Sequence, residues 1–448
     1  MNVELLKAKI LDLAIHGKLV PQLDSEPAVE QIGEVPDEIP FEIPEKWKWI
    51  YIKNLGEVVS GGTPKTSIKE YWEPQEINWV TPADLGKLTG KYVTTGKNKI
   101  SKLGLTKSSA KLMPPGSIIF SSRAPIGYTF IASSFLCTNQ GCKSLIPNTN
   151  IVCSEWIYFS LIYRTDDIKK KASGTTFSEI SGSKFKEIVI SCPPLQEQRR
   201  IVAKFNELFS ILDVIDAKQK SLEEKLKLIK AKAIDLAIHG KLVPQLDREP
   251  AVKQIGEVPD EIPFEIPEKW KWVKLDSISK IINGDRGSNY PSKSKLSNIK
   301  TAHPFVSAAN ISNCRLDYKK MLYLSTQQVS KLRTGFILAG DFLLCIRGSL
   351  GKFAYITNDG GAIASSLCIV RFDNNVFFKP FGEILLSSNL LSSFIFSNKN
   401  GTAQPNIGAS TIKETPISLP PIEEQCRIVA KINEIFSFCD KAMEILHK

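Results

Sequence analysis

Two arginines occupy matching positions in stretches that otherwise share little sequence. In 114–132 (PPGSIIFSSRAPIGYTFIA) and 338–356 (LAGDFLLCIRGSLGKFAYI) an apolar run leads into arginine and, four residues on, glycine: Arg123 with Gly127, Arg347 with Gly351. A guanidinium is a rigid fork of donors that matches paired acceptors, such as two phosphate oxygens or O6 and N7 of guanine. The neighbouring loops add groups of the same kind. In the first stretch they are Gly62, Thr63 and Lys65 of GGTPKTS, Trp79, Thr81 and Asp84 of WVTPADL, Ser122 beside Arg123, and Asn139 and Gln140 of TNQG. In the second they are Arg286, Asn289 and Tyr290 of NGDRGSNY, Ser307 and Asn310 of VSAANIS, Ser349 beside Arg347, and Gln404 and Asn406 of NGTAQPNIG. Carboxamides suit adenine edges, while hydroxyls, lysines and backbone amides suit phosphates. Any one such loop is ordinarily a ligand-free polar surface. Recurrence in two divergent stretches is what singles out the arginines; the two glycines suit tight turns.

Bond-making chemistry is poorly provided for. Gly348, Gly351, Lys352 and Phe353 have neither the spacing nor the hydroxyl of a phosphate-binding loop, and there is no HExxH segment. His16, His239, His303 and His447 are too scattered for a local metal cluster, and no Asn-Pro-Pro-aromatic segment of adenine methyltransferases occurs. Asp37 and Glu42 lack the lysine spacing of a nuclease and read as a solvated linker. The nine cysteines form no C-x2-C pair, Cys137 and Cys142 being closest, and are expected to be buried free thiols. No catalytic residue, metal site or cofactor is therefore assigned to this chain. A net charge of +11 suits a polyanionic partner without requiring one. The charged N-terminus MNVELLKAKILDLAIHG is unlike a signal peptide, and no run approaches the roughly 18 apolar residues of a membrane span, so a cytoplasmic location is expected.

What positions these groups is a duplicated frame. Residues 12–49 recur at 235–272 with two changes, Ser25 to Arg248 and Glu30 to Lys253. A looser pair, PPLQEQRRIVAKFNELFSILD and PPIEEQCRIVAKINEIFSFCD, starts at Pro193 and Pro420 and extends upstream to Gly174-Thr175 and Gly401-Thr402. From 193 to Gly240 nothing breaks a helix, giving a rod of roughly 65 Å. Its apolar residues step four and three: Ile201, Phe205, Leu208, Leu212, Ile215, Gln219, Leu222, Leu226, Ile229, Ala233, Leu236. This is a heptad seam, with Gln219 as its single polar, register-setting member. Through the repeats it continues as Ile428, Ile432, Ile435, Cys439, Ala442 and Leu446, then as Val3, Leu6, Ile10 and Leu13. The simplest partner for the central helix is thus an antiparallel layer made of the two terminal helices, with Lys448 brought near Met1. The prolines of 20–49 and 243–272 exclude helix and interior strand and make stiff connectors. Between frames, runs such as SIIFSS, YTFIASS, FLLCIRGS and FAYIT read as short strands.

The expected class is α+β: two mainly-β domains with a few helices, separated by an antiparallel coiled coil of long helices, with circular pseudo-two-fold order. The pieces are 1–20 (half-helix), 21–192 (first domain with its lead-in), 193–240 (central helix), 241–419 (second domain) and 420–448 (second half-helix). The helix starts PPLQEQRRIVA and PPIEEQCRIVA, the helix end DLAIHGKLVPQ, and GGTPKTSIKEYW with WVTPADL resemble the specificity subunits of type I restriction-modification systems. GGTPKTS has a counterpart only in the first block; the second carries INGDRGSNY. The resemblance implies two target-recognition domains, each reading half of a bipartite double-stranded DNA site. It also implies a coiled coil that sets the spacer and docks methyltransferase subunits, two of them, with restriction subunits joining the full complex. Adenine-N6 methylation with S-adenosylmethionine, and cleavage with ATP and Mg, would then lie in partner chains. The competing expectation is a non-catalytic coiled-coil adaptor whose β domains bind proteins.

Overall fold

One helix runs unbroken from Leu195 to Ile238, 44 residues. Two prolines precede it, and it stops where Gly240 turns left-handed at φ +66°. Any Cβ at Gly240 would also lie 2.4 Å from Pro267 Cγ of the returning connector; Gly17, at φ +68°, meets Pro44 in the same way. Both positions need glycine for conformation and for closeness.

The computed structural model describes residues 2–123, 125–172, 179–300, 303–401 and 404–447; Met1, Lys448, Gly174-Thr175 and Thr402 lie outside the described residues. The chain forms two compact units, Met1–Lys218 and Gln219–Lys448. In the first, the helix Val3–Ile15, capped by Asn2, runs antiparallel to the start of the long helix. Lys7 pairs with Asp213 at 2.8 Å and lies over the Phe209 ring, while Ala14 and Ile15 share a core with Ile201, Phe205, Trp47 and Trp156. In the second, the helix Ile422–His447 runs antiparallel to the end of the long helix. Lys230 meets Asp440 at 2.5 Å and Phe436, His447 meets Glu223 at 3.4 Å, and the Gln219 amide donates to the Leu446 carbonyl.

Most of the heptad stripe is covered. Ile201, Phe205, Leu212, Leu226, Ala233, Ile428, Ile432 and Cys439 are buried, and Leu208, Ile215, Gln219, Ile435, Ile10 and Leu13 half-buried. Leu222 (43%), Ile229 (47%) and Leu6 (37%) stay exposed. The expected continuous seam therefore opens there. A pair of helices has no third element to cover the flank of a seam residue, and Leu222 lies level with the last turn of the helix that ends at His447.

The connectors carry no helix or strand up to Trp47 and Trp270, as their prolines require, and enter a strand only in their last two residues, but they are not free linkers. Asp37 and Glu42 are exposed as expected. Glu26 and Glu249, by contrast, are buried and grip the frame helices through Arg200 (2.9 and 2.7 Å) and Arg427 (2.7 and 2.6 Å). The sequence gives no sign of this, since each pair spans more than 170 residues.

Near each clamp a fully buried glutamate, Glu197 or Glu424, sits in the first turn of its helix. Glu424 accepts from Gln245 and, at 3.0 Å, from the Trp270 indole; Gln22 reaches Glu197 at 3.3 Å. Burial pushes both carboxyls above the usual range. A raised folded-state value favours the protonated native state. The contribution of these groups is therefore full below the unfolded value of about 4.3 and is lost as pH rises through the folded value. Glu424→Gln is expected to flatten the fall in stability between pH 4.5 and 7 in denaturant titrations. Parallel pH curves for variant and parent would refute it.

Each domain is closed at its base by a strand pair joining its two ends: Lys48–Tyr51 with Val189–Cys192, and Lys271–Lys274 with Pro416–Leu419. Above the first lie a five-stranded sheet (Gly56–Ser60, Cys142–Pro147, Ile118–Ser121, Thr129–Ala132, Tyr92–Val93) and a three-stranded one (Asn98–Ile100, Ile77–Val80, Leu136–Thr138). Above the second lie four strands (Ser279–Asn283, Leu367–Phe372, Phe342–Cys345, Phe353–Tyr355) and three (Leu322–Tyr323, Pro304–Val306, Ala362–Ile363). The runs read as strands from sequence are strands here. Six of the nine cysteines are buried; Cys153 and Cys314 are half-buried, and Cys426, on the outer face of its helix, is exposed.

Candidate nucleic-acid interface

Both arginines follow an inner strand of the main sheet, and each strand ends in the same glycine turn. The Gly127 amide donates to Ser121 O at 3.0 Å and the Gly351 amide to Cys345 O at 3.2 Å, with φ +111° and +79°. Each arginine also forms a β-bridge to a later segment, Arg123 with Glu179 and Arg347 with Asn406. The shared local geometry explains why this stretch aligned between blocks when little else did.

In the first unit three loops converge beside Arg123. The Trp79 indole donates to Gly62 O at 2.9 Å, and the Gly62 amide to Thr138 O at 2.8 Å. The Thr63 hydroxyl donates to the Gln140 side-chain oxygen. The Asn139 side chain accepts from the Gly141 amide at 3.0 Å, and Ser122 donates through both amide and hydroxyl to Gly141 O. A Cβ on Gly141 would lie 3.3 Å from Arg123 Nε and 3.0 Å from Pro82, which places Gly62, Thr63, Thr81, Ser122, Arg123 and Gln140 in one cluster. Lys65 is exposed, its carbonyl tied to the Trp72 indole at 3.2 Å.

The cluster sorts into braces and outward groups. Ser122 is fully buried and its hydroxyl is committed to Gly141 O, so it holds the loop instead of facing outward as expected. Thr81 caps the helix Pro82–Leu85 through a reciprocal box with Asp84. Thr63, Lys65 and Gln140 are exposed and Arg123 is half-exposed.

In the second unit the Gly348 amide donates to Pro405 O at 2.9 Å, and Asn406 exchanges two backbone bonds with Asn400. Arg347, Ser349, Gln404 and Asn406 are thereby gathered, the first three exposed. Ser307 and Asn310 form a reciprocal box in the manner of Thr81 and Asp84; Asn310 is 3% exposed, so it braces its loop. Tyr290 packs edge-on against Phe305, at 5.6 Å, with part of its ring still exposed. Arg286 projects from a loop pinned by buried Asp285, which accepts from the amides of Arg333 and Arg286, both at 2.7 Å, and from the Arg333 guanidinium at 3.3 Å. Those bonds, the Arg333 amide foremost, hold the Asp285 carboxyl below its ordinary range.

Sequence reading missed Glu179, Asp285 and Arg333. The only available signal for Asp285 was an aspartate beside glycine in NGDRG, which reads as a turn. Among the described residues no group of three or more His, Cys, Asp or Glu could hold a metal ion, and no helix is long and apolar enough to cross a membrane. The arrangement offers exposed forks, amides and a lysine on braced loops.

Residues 44–224 and 267–445 match the family model described as the type I restriction modification DNA specificity domain. The chain is 30% identical over 393 residues to the type I restriction enzyme MjaIX specificity subunit of Methanocaldococcus jannaschii, covering 85% of this chain and 84% of that one. It is 23% identical to the EcoAI specificity subunit of Escherichia coli, covering 99% and 91%. Among solved structures, the HsdS subunit from Thermoanaerobacter tengcongensis is similar with TM-score 0.56 and 18% identity, covering 91% of this chain and 93% of that one. A chain solved in work on complex assembly and conformational transition of the type I R-M system reaches 0.69 at 19% identity, covering 91% and 94%.

Proposed function

This chain belongs to the type I restriction-modification DNA specificity family, and from that membership we propose that its two domains each read one half of a bipartite site on double-stranded DNA. DNA sequence specificity is the family's role, and the members matched are named specificity subunits; catalysis belongs to partner subunits. The observation that carries the finer reading is the recurrence of one arginine geometry in two units whose surrounding loops differ. Shared scaffolding with different outward groups is what two readers of different base sequences require.

The reader blocks lie in 21–192 and 241–419 and the frame in 1–20, 193–240 and 420–448. The long helix sets the unspecified spacer, and the frame docks two methyltransferase subunits, with restriction subunits joining the full complex in the cytoplasm. S-adenosylmethionine, ATP and Mg are used by those partners. Arg123, Arg347 and Arg286 are the leading base-edge contacts. Gln140, Gln404 and Asn406 offer amides, and Gly62, Thr63, Lys65, Ser349, Ser307 and Tyr290 border the backbone path.

Co-expression with its methyltransferase partner, followed by mapping of modified adenines, is expected to return a two-part motif with a fixed spacer. An active complex that methylates without such a motif would sink the proposal in favour of the protein-binding adaptor. Arg347→Ala is expected to weaken specific binding by about 1 to 3 kcal/mol, measured by titration of labelled duplex at fixed salt. Unchanged affinity with a lowered melting temperature would assign Arg347 to structure alone.

A further inference from the structure

The two copies of the frame present the same slot beside the helix-ending histidine, and only one slot is filled. In the first unit His16 Nδ1 lies 2.8 Å from Asp12 O, and its ring lies 4.1 Å from that of Phe41. Tyr163 closes this corner. Its ring stands edge-on to both, at 5.8 and 6.2 Å, and its hydroxyl donates to the Asp12 carboxylate at 2.8 Å. Burial, then that carboxylate, pushes the phenol up to about 12, so it remains a donor.

In the second unit the frame half of the corner keeps the same backbone and ring contacts, and Lys232 in addition holds one oxygen of the Asp235 carboxylate at 2.8 Å, leaving the other for a donor. His239 Nδ1 lies 2.7 Å from Asp235 O, and its ring stacks on Phe264 at 3.8 Å. The register of the opposing segment is fixed in both units by an identical clamp: the Cys153 amide donates to Gln198 at 2.9 Å, and the Phe378 amide to Gln425 at 2.8 Å. Ten residues on from these clamps stand Tyr163 and Ser388. The first lies within the continuous helix Ser154–Lys170, whereas in the second the helix Phe381–Leu386 stops and Asn389–Ser397 restarts, with Ser388 as its cap. Where the tyrosine would be, a cleft of about 870 Å³ opens, bordered by Asp235, His239, Phe264, Leu390 and Phe394.

We propose that this cleft is a docking site for a tyrosine side chain of a partner protein, held as the first unit holds its own Tyr163: phenol to the Asp235 carboxylate, ring against His239 and Phe264. The rim selects the kind of segment. Asp260 and Glu261 border it together with Asp235 and Glu414; Asp235 is paired with Lys232 at 2.8 Å, and Lys274 with Glu414 at 2.8 Å and Glu257 at 3.2 Å, so acids outnumber cations at the rim. Such a rim repels nucleic acid and other polyanions and favours a tyrosine flanked by lysine or arginine. Of the proposed DNA-contacting side chains, Arg286, Arg347, Gln404 and Asn406 are not in the cleft lining.

The test uses the full chain and two peptides, acetyl-Lys-Tyr-Lys-amide and acetyl-Lys-Phe-Lys-amide, titrated by saturation-transfer NMR against the parent, Asp235→Asn and Asp12→Asn. The tyrosine peptide should bind saturably and about tenfold more tightly than the phenylalanine peptide, as a hydrogen bond to a charged acceptor implies. Asp235→Asn should abolish that preference. Asp12→Asn, whose slot Tyr163 already occupies, should leave it intact. Three outcomes overturn the proposal: no saturable binding, equal affinity for the two peptides in the parent, or displacement of the tyrosine peptide by an oligothymidylate.

Discussion

Replacing Arg427 by methionine is expected to lower the free energy of unfolding by about 2 to 3 kcal/mol, the largest single-residue loss in the frame. Removing one partner of a buried ion pair typically costs about 3 to 5 kcal/mol, because the other charge is left desolvated and uncompensated. Glu249 is that charge: it is 2% exposed, and both of its oxygens are held by Arg427 at 2.7 and 2.6 Å. The guanidinium itself is 27% exposed, which moderates the loss. Methionine keeps much of the aliphatic stem, so the deficit reports the charge and not the packing. Two further results follow. Arg427→Met with Glu249→Gln should recover most of the loss, since no buried charge then remains. Because the Arg427 hydrogen bond holds the Glu249 carboxyl below its usual range, the pair stabilises above the unfolded value of about 4.3 and ceases to as pH falls through the folded one. The deficit should therefore shrink in acid. Urea titrations at pH 7 and pH 4 measure it; equal deficits at both pH values, or additive single and double variants, would refute the account.

That clamp also marks where reading the sequence stops. The long helix, its glycine stop and the antiparallel terminal partners follow from local rules: proline before the helix, a strict four-three step, glycine after it. These properties reside in consecutive residues, so they are visible without coordinates. The strand runs and the arginine-to-glycine turns are visible for the same reason, and repetition made them stand out. Glu26 and Glu249 look like solvated linker acids because the cations near them in sequence do not pair with their carboxylates, Lys46 and Lys269 taking only their backbone carbonyls; Arg200 and Arg427 arrive from the far side of a whole domain. At the interface the residue types were legible and their division of labour was not. Ser122 and Asn310 have the chemistry of base or phosphate contacts, but the Ser122 hydroxyl is committed to Gly141 O and the Asn310 side-chain oxygen to Ser307. Whether a hydroxyl faces inward depends on strand register, which a loop sequence does not encode. The open seam at Leu222 and Ile229 has a similar origin, since heptad spacing identifies a stripe but not how many neighbours cover it.

Exchange of the first reader is expected to change one half of the recognised motif completely and leave the other half and the spacer untouched. Residues 50–192 begin and end inside the strand pair at the base of the domain, where Trp49 faces Ser191 and Lys48 faces Cys192. A block from another family member brings its own partner for that strand. The frame receives it through the Gln198 clamp on the Cys153 amide, the Asp12 bond to Tyr163 and the packing of Ile15, Trp47, Ile201 and Phe205, so an exchanged block must keep a matching strand, amide and apolar face. Each mismatched base pair costs about 1 to 3 kcal/mol. A reader that contacts about three base pairs thus loses roughly 3 to 9 kcal/mol on its old half-site, enough to remove methylation there at any working concentration. The reciprocal exchange of 273–419 should alter only the other half. The decisive readout is the adenine methylation map of an active complex carrying each exchange. A motif changed in both halves, or a spacer that shifts with the block, would mean that the readers act through the frame rather than side by side upon it. A map unchanged in both would place recognition outside the blocks altogether.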